Sequence, residues 1–289
     1  MRFSVVIPTL DRPEILRRTL LSLADCDPPP DEVIVVDASE GGSAEPVVEK
    51  VGKEGSGWRY LTGPAGSSHQ RNVGIEATTG DVVVFADDDV VFDPRVFEAL
   101  ERAYADPSIV GATTKVVESH DRAVGRKDSP LRRLLPGGGQ DGTFTRFGYP
   151  RYLTRLDEER DVEFMPGCFM SARRAAALEV RFDENLTGYA LMEDEDFSYR
   201  LSRLGRVLYL PGVTVHHLKT GFATHDRRAF SRKVIVNRSY LFKKNFPQTP
   251  AARAQFVLFV AGLFIHRLIN RDWAGLRGLI DGLNEARAK

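Results

Sequence analysis

Apolar and β-branched residues along the first ninety positions fall into short runs, each followed by a stretch with helical spacing. Phe3 to Ile7 is such a run, stopped by Pro8, and predicts a buried strand. Pro13 stands where proline is tolerated, in a first helical turn, and Ile15, Leu16, Thr19, Leu20 and Leu23 follow at helical spacing. Pro28 to Pro30 break that helix. Glu32 to Asp37 is a second β-branched run, ending on an acid, and Trp58 to Leu61 is a weaker third. His69 to Thr78 reads as a helix closed by Gly80, and Asp81 to Ala86 predicts a further strand running into Asp87, Asp88 and Asp89. Such alternation points to an α/β domain with a mostly parallel sheet. In open sheets of that kind ligands bind beyond the carboxyl ends of the strands, where Asp37 and the Asp87–Asp89 cluster lie.

The pattern then loosens. Residues 120 to 160 are polar and basic, and the glycine-rich stretch 136–142 reads as a mobile loop. Strand signals return at Val162–Phe164 and Gly167–Ser171, a helix at Glu193–Leu204, and strands at Val207–Leu210 and Val213–His217. After His225 the spacing is helical to the end, interrupted at Pro247 and Pro250.

Charge changes this picture. The 289 residues carry no net charge, but from Lys219 onward fourteen Lys and Arg face four acids. The front of the chain is therefore acidic and the tail basic, a split that suits a tail meeting phosphates, nucleic acid or a membrane surface. Only Cys26 and Cys168 occur, with no ligand-like spacing, so a disulfide framework is not expected and a reducing compartment is. The first residues run into a strand pattern rather than a signal peptide, and the longest uncharged apolar run, Phe256 to Ile265, is about half of a membrane-spanning helix. The expected location is the cytosol, with the tail able to rest on a membrane face.

Three acids in succession at a strand end repel one another, and a divalent cation relieves that. Alternation along the chain turns Asp87 and Asp89 one way and Asp88 the other. The bland reading is an acidic turn before the helix-capping Asp93-Pro94. Glu193, Asp194, Glu195 and Asp196 open a helix, where acids are stabilised by the macrodipole. Four exceed that need, and one of them could act as a general base towards a hydroxyl. His216 and His217 end a strand and point to opposite faces.

Taken in order, these segments resemble the family-2 glycosyltransferases. Ser4 to Glu14 is similar to their opening strand and loop, and Val35-Val36-Asp37 to their second strand. Gln70-Arg71-Asn72-Val73-Gly74, Gly80-Asp81 and Phe85 to Asp89 resemble the run into their DxD motif. Pro166 to Met170 and Phe182-Asp183-Glu184 match acceptor-side landmarks, Glu193 to Leu201 the helix with the catalytic acid, and Leu210 to His217 the strand ending in a histidine. Order and spacing agree over residues 3 to 217. One departure is Ala38, where many members carry a second acid, which leaves the base- and ribose-reading pocket one acceptor fewer.

The resemblance implies a GT-A fold, two abutting Rossmann-like halves sharing a mostly parallel sheet, with a helical appendage at the C-terminus. Residues 1–218 would form the catalytic domain, 1–115 the nucleotide-sugar half and 116–218 the acceptor half, and 219–289 a basic helical region. It implies an inverting transfer from a nucleotide sugar, UDP-linked by expectation, to a hydroxyl of a glycan or lipid-linked acceptor of bacterial cell-surface type. Asp194 would be the base. Asp87, Asp89 and His217 would hold Mn²⁺ or Mg²⁺, and Thr9, Asp11, Asp37, Arg71, Asp87 and Asp88 would meet the nucleotide. Glu193, Asp196 and Gly167 would line the acceptor side. An anionic membrane surface is the expected partner of the tail, nucleic acid is not expected, and self-association is left open. A nucleotidyltransferase would need a basic, glycine-rich phosphate loop, which Pro8-Thr9-Leu10-Asp11-Arg12 is not. A binding module without activity would not need intact acids at both sites.

Overall fold

The computed structural model describes residues 1–52, 57–118, 140–153, 156–187, 191–219 and 226–288. Positions 136–139 of the expected mobile loop lie outside these. The chain divides into two compact units, Met1–Arg122 with Tyr152–Thr220, and Ala123–Arg151 with Gly221–Lys289. Of the described residues, 140–151 fall in the second unit with the C-terminal helices.

The first unit is built on one sheet. Phe3–Thr9 (β1), Glu32–Asp37 (β2), Trp58–Thr62 (β3) and Val82–Ala86 (β4) lie parallel in the order β3-β2-β1-β4. Val90–Val91 (β5), Ile109–Glu118 (β6), Arg160–Val162 (β7), Phe169–Arg173 (β8) and Arg206–His217 (β9) continue it as β4-β8-β6-β9-β5, with β7 also on β9. β8 runs against both its neighbours, β4 and β6; β5 and β7 run against β9, and β9 is parallel to β6. The carboxyl ends of β1, β2, β4, β6 and β9 therefore share one edge.

Both faces of this sheet are covered, which is why its central strands are almost continuously apolar. Val5, Ile7, Val33, Val35 and Val84 belong to one core. It includes Leu16, Leu20 and Leu23 of Pro13–Ala24 (α1), Val48 of Glu45–Val51 (α2) and residues of a later helix, Val96–Tyr104. Val6, Val83 and Phe85 alternate to the other face. There they pack with Ile75 of Ser67–Ala77 (α3), and, counting Val96–Tyr104 as α4, with Ala176 and Ala177 of Arg174–Val180 (α5) and Phe197 and Leu201 of Glu193–Leu201 (α6).

Two findings depart from the sequence reading. β6 was not predicted, because its middle, Gly111 to Lys115, is small and polar; Thr113 is nonetheless fully buried and donates to the Phe169 carbonyl. The two strands expected on either side of Pro211-Gly212 are one. Leu210 lies opposite Thr114 and Thr214 opposite Lys115, so Pro211, Gly212 and Val213 bulge out of the pairing with β6. Proline has no ladder N–H to give, and inside a sheet it is found at such bulges.

In the second unit, Arg227–Asn245 (α7), Pro250–Ile269 (α8) and Trp273–Ala288 (α9) follow one another. The expected break at Pro247 and Pro250 falls between α7 and α8, where the Thr249 hydroxyl caps α8 by accepting from the Ala252 N–H. α9 packs on α7 so closely that a Cβ on Gly278 would stand 2.1 Å from the Arg228 carbonyl oxygen, and one on Gly282 2.6 Å from that of Arg232. Arg228–Asp281 and Arg232–Glu285, each at 2.7 Å, flank the contact. Leu279 is buried here and Leu276 and Leu283 partly so. These three pack within the unit.

Candidate active site

β4 ends at Ala86 and the chain turns through Asp87, Asp88 and Asp89 into β5, which pairs antiparallel with the end of β9, Val90 opposite His217. The Leu218 N–H donates to the Asp89 carbonyl, tying the two ends. This brings His217 Nε2 to 3.1 Å from Asp89 Oδ1, while His216 is exposed. One ligand atom each from Asp87, Asp89 and His217 lies within 4.8 Å of the others. Two carboxylates and an imidazole could together hold a divalent cation. Burial opposes a charged His217, but its bond to Asp89 and the charges of Asp89 and Asp87 outweigh it and hold its pKa above the ordinary histidine value.

Asp88 turns the other way. It accepts from the Thr9 hydroxyl at 2.7 Å and pairs with Arg12 at 3.1 Å, and the Thr19 hydroxyl holds its carbonyl. Burial pushes its pKa up to about 7 against the pull of Arg12 and Thr9. Arg12 also reaches Asp89 at 2.9 Å. Sequence reading missed this arginine, although three clustered acids called for a counter-charge and Arg12 follows the first strand directly.

Gln70, Arg71 and Asn72 lie on α3, and all three are buried. Gln70 donates to the carbonyls of Thr9 and Val36, fixing the ends of β1 and β2 together. Asn72 holds both the N–H and the carbonyl of Phe182 and donates to Glu184. Arg71, expected at the nucleotide, is 1% exposed and lies between Asp87 at 2.9 Å, Glu193 at 2.8 Å and the Gly167 carbonyl at 2.9 Å. A guanidinium enclosed this way links the two acidic clusters.

In α6 the four acids separate by roughly 100° per residue. Glu193 faces Arg71. Asp194 Oδ2 accepts from the Gly167 N–H at 3.0 Å and Oδ1 from the Glu195 N–H at 2.8 Å. Burial raises the Asp194 pKa, opposed by the Gly167 N–H and Arg71. A Cβ on Gly167 would stand 3.1 Å from Asp194 Cβ, tighter than most side chains allow, so the glycine sets how near the two can come. Asp196, expected on the acceptor side, is fully buried and pairs with Arg200, which also holds the Val180 and Arg181 carbonyls. Its place is in the packing of α6.

On the nucleotide side, Asp37 is buried at the end of β2 and accepts from Ser39, the Ala44 N–H and the Tyr60 hydroxyl. Asp11 is exposed in the loop after β1 with φ of 54°, a left-handed conformation costly for a side chain other than glycine, and its N–H donates to the Ser39 hydroxyl. The loops that follow β1 and β2 are thereby joined.

A mostly parallel sheet with acids gathered at its carboxyl edge is the architecture of nucleotide-using α/β enzymes. The sequence profile of glycosyl transferase family 2 matches residues 4–181, and the chain belongs to that family. Solved structures share its fold. A mannosyltransferase, PcManGT from Pyrobaculum calidifontis in complex with GDP-Man and Mn²⁺, is 17% identical at TM-score 0.57, over 99% of this chain and 75% of its own. S. aureus TarS 1–349 in complex with UDP-GlcNAc is 15% identical at 0.53, over 99% and 92%. GalNAc-T7 with UDP, GalNAc and Mn²⁺ is 16% identical at 0.59, over 82% and 48%. No curated protein matches the chain in sequence. The fold is GT-A and the protein is a glycosyltransferase.

Proposed function

We propose that the chain is an inverting, metal-dependent glycosyltransferase acting from a UDP-linked sugar on a hydroxyl of a glycan or lipid-linked acceptor. The observation that carries this reading is the joining of the two acidic clusters through one buried arginine. Arg71 bonds Asp87, of the cation group, and Glu193, beside Asp194. Asp194 has both oxygens fixed by backbone N–H groups, so it is held still to take a proton from an acceptor hydroxyl. A single oriented base supports direct displacement, with the hydroxyl attacking the anomeric carbon from the side opposite the nucleotide. A cation held by Asp87, Asp89 and His217 would neutralise charge growing on the leaving diphosphate. Thr9, Asp11, Asp37 and Asp88 form the nucleotide side, and Gly167 and Glu193 border the acceptor. UDP is favoured because TarS and GalNAc-T7 were solved with UDP-GlcNAc and UDP.

Product stereochemistry tests the mechanism. An α-linked donor should give a β-linked product by NMR, and only with Mn²⁺ or Mg²⁺ present. An α-linked product, or equal turnover in excess chelator, would overturn it.

A further inference from the structure

We propose that the exposed face of α8 lies flat on an anionic lipid surface without crossing it. α8 is 20 residues, long and apolar enough to span a membrane by length and composition. One flank is already occupied within its own unit. Ala252, Phe259, Val260 and Gly262 are buried, the Phe259 ring lies 5.4 Å from Phe147 and 5.2 Å from Tyr149, and Phe256 stacks on Phe242 at 4.7 Å. A spanning helix would have to give up those contacts.

The other flank is open. Val257 is 65% exposed, Leu258 63%, Ile265 53% and Ile269 75%; with Ala261 and Leu268 they recur every three or four residues along one side. Trp273, 60% exposed, follows at the start of α9. Soluble monomers seldom show a continuous apolar stripe of this kind without something to cover it.

Charge selects the occupant. Residues 227–271 contain ten Lys and Arg and no Asp or Glu. The acids on either side have local duties: Asp226 caps α7, and Asp272, Asp281 and Glu285 answer Arg267, Arg228 and Arg232. Arg253 and Arg271, both exposed, bracket the stripe, and Arg277 follows on α9. A second copy of the chain seated here would set one arginine border against another. Lipid phosphates meet that border with the opposite sign, and the acyl region receives the apolar side chains, the arrangement of a helix lying in the headgroup plane. The proposal does not depend on the sugar-transfer reading.

Flotation of the full chain with vesicles tests it, using equal parts phosphatidylglycerol and phosphatidylcholine against phosphatidylcholine alone. The chain should float with the anionic vesicles and be released by salt. Leu258→Asp with Ile265→Asp should abolish binding, with the circular-dichroism unfolding midpoint unchanged because both side chains are exposed. Arg253→Ala with Arg271→Asn, asparagine being chosen for the left-handed φ of 52° at Arg271, should weaken binding about fivefold for each arginine removed (about 1 kcal/mol). Three results would each overturn the proposal: no flotation, equal flotation with neutral vesicles, or a dimer by light scattering that the double aspartate variant splits.

Discussion

The two acidic clusters of the first unit are built on opposite principles. Asp87, Asp88 and Asp89 leave a strand end in diverging directions and are met by side chains from distant parts of the chain: Arg71, Arg12, Thr9 and His217. Asp194, on a helix start, is held by backbone N–H groups of Gly167 and Glu195. Side-chain counter-charges can rearrange when the charge around them changes, whereas a hydrogen-bonded peptide group is tied to its chain. The first cluster can thus exchange its partners, and the second keeps one carboxylate in place.

The sharpest test of that difference is Asp194→Asn, which keeps shape and removes basicity. Turnover should fall by about two to four orders of magnitude while UDP binding by calorimetry stays unchanged. Near-normal turnover would move the base to another group and dissolve the contrast. Asp89→Ala acts on the exchanging cluster, and the Mn²⁺ concentration for half-maximal turnover should rise about a hundredfold. UDP binding should weaken and should need correspondingly more metal.

Gly167→Ala inserts a methyl group against Asp194 without touching its charge. A displacement of a few tenths of an ångström should cost about tenfold in turnover, since positional errors near 1 Å cost about a hundredfold. The unfolding midpoint should change little. The acid limb of turnover should lie above 3.8, the ordinary aspartate value, because burial raises the Asp194 pKa and the base must be ionised to act. Turnover therefore rises with pH through the raised value, and the residual activity of Asp194→Asn should lack that limb. Smallest on turnover is Asp196→Ala, expected within tenfold. Its effect is on stability, a loss of about 2–3 kcal/mol in urea unfolding, as Arg200 is left without its carboxylate.

Much of this was legible in the sequence, unevenly so. β1, β2 and β4 were plain because strands covered on both faces are written in valine and isoleucine. β6 was hidden because it buries Thr113, whose hydroxyl donates to the Phe169 carbonyl, and carries Gly111, with Leu201 packed against it. The acids at the strand end could be found by position alone, since sheet topology fixes that edge. Arg12 needed one further step, from three clustered acids to a counter-charge directly after the first strand, and only the folded backbone shows that Arg71 faces inward between Asp87 and Glu193. The Arg200 partner of Asp196 was hidden for a similar reason, because rotation around a short helix turns neighbouring acids to unrelated surroundings.

The bulge in β9 carries a further meaning. Before it, Leu208 and Leu210 lie in one core and Val207 and Tyr209 in the other; after it, Val213 and Val215 take the side that the even-numbered residues held. The irregularity inverts the parity of the strand, and His217 inherits the position beside Asp89 that uninterrupted counting would have given to His216. Which histidine stands beside Asp89 is therefore written in the spacing of the chain rather than in either residue. A comparison of related proteins that scores this stretch by substitutions alone would misjudge it, for a change of one residue in length at Pro211-Gly212 is the event that exchanges the two.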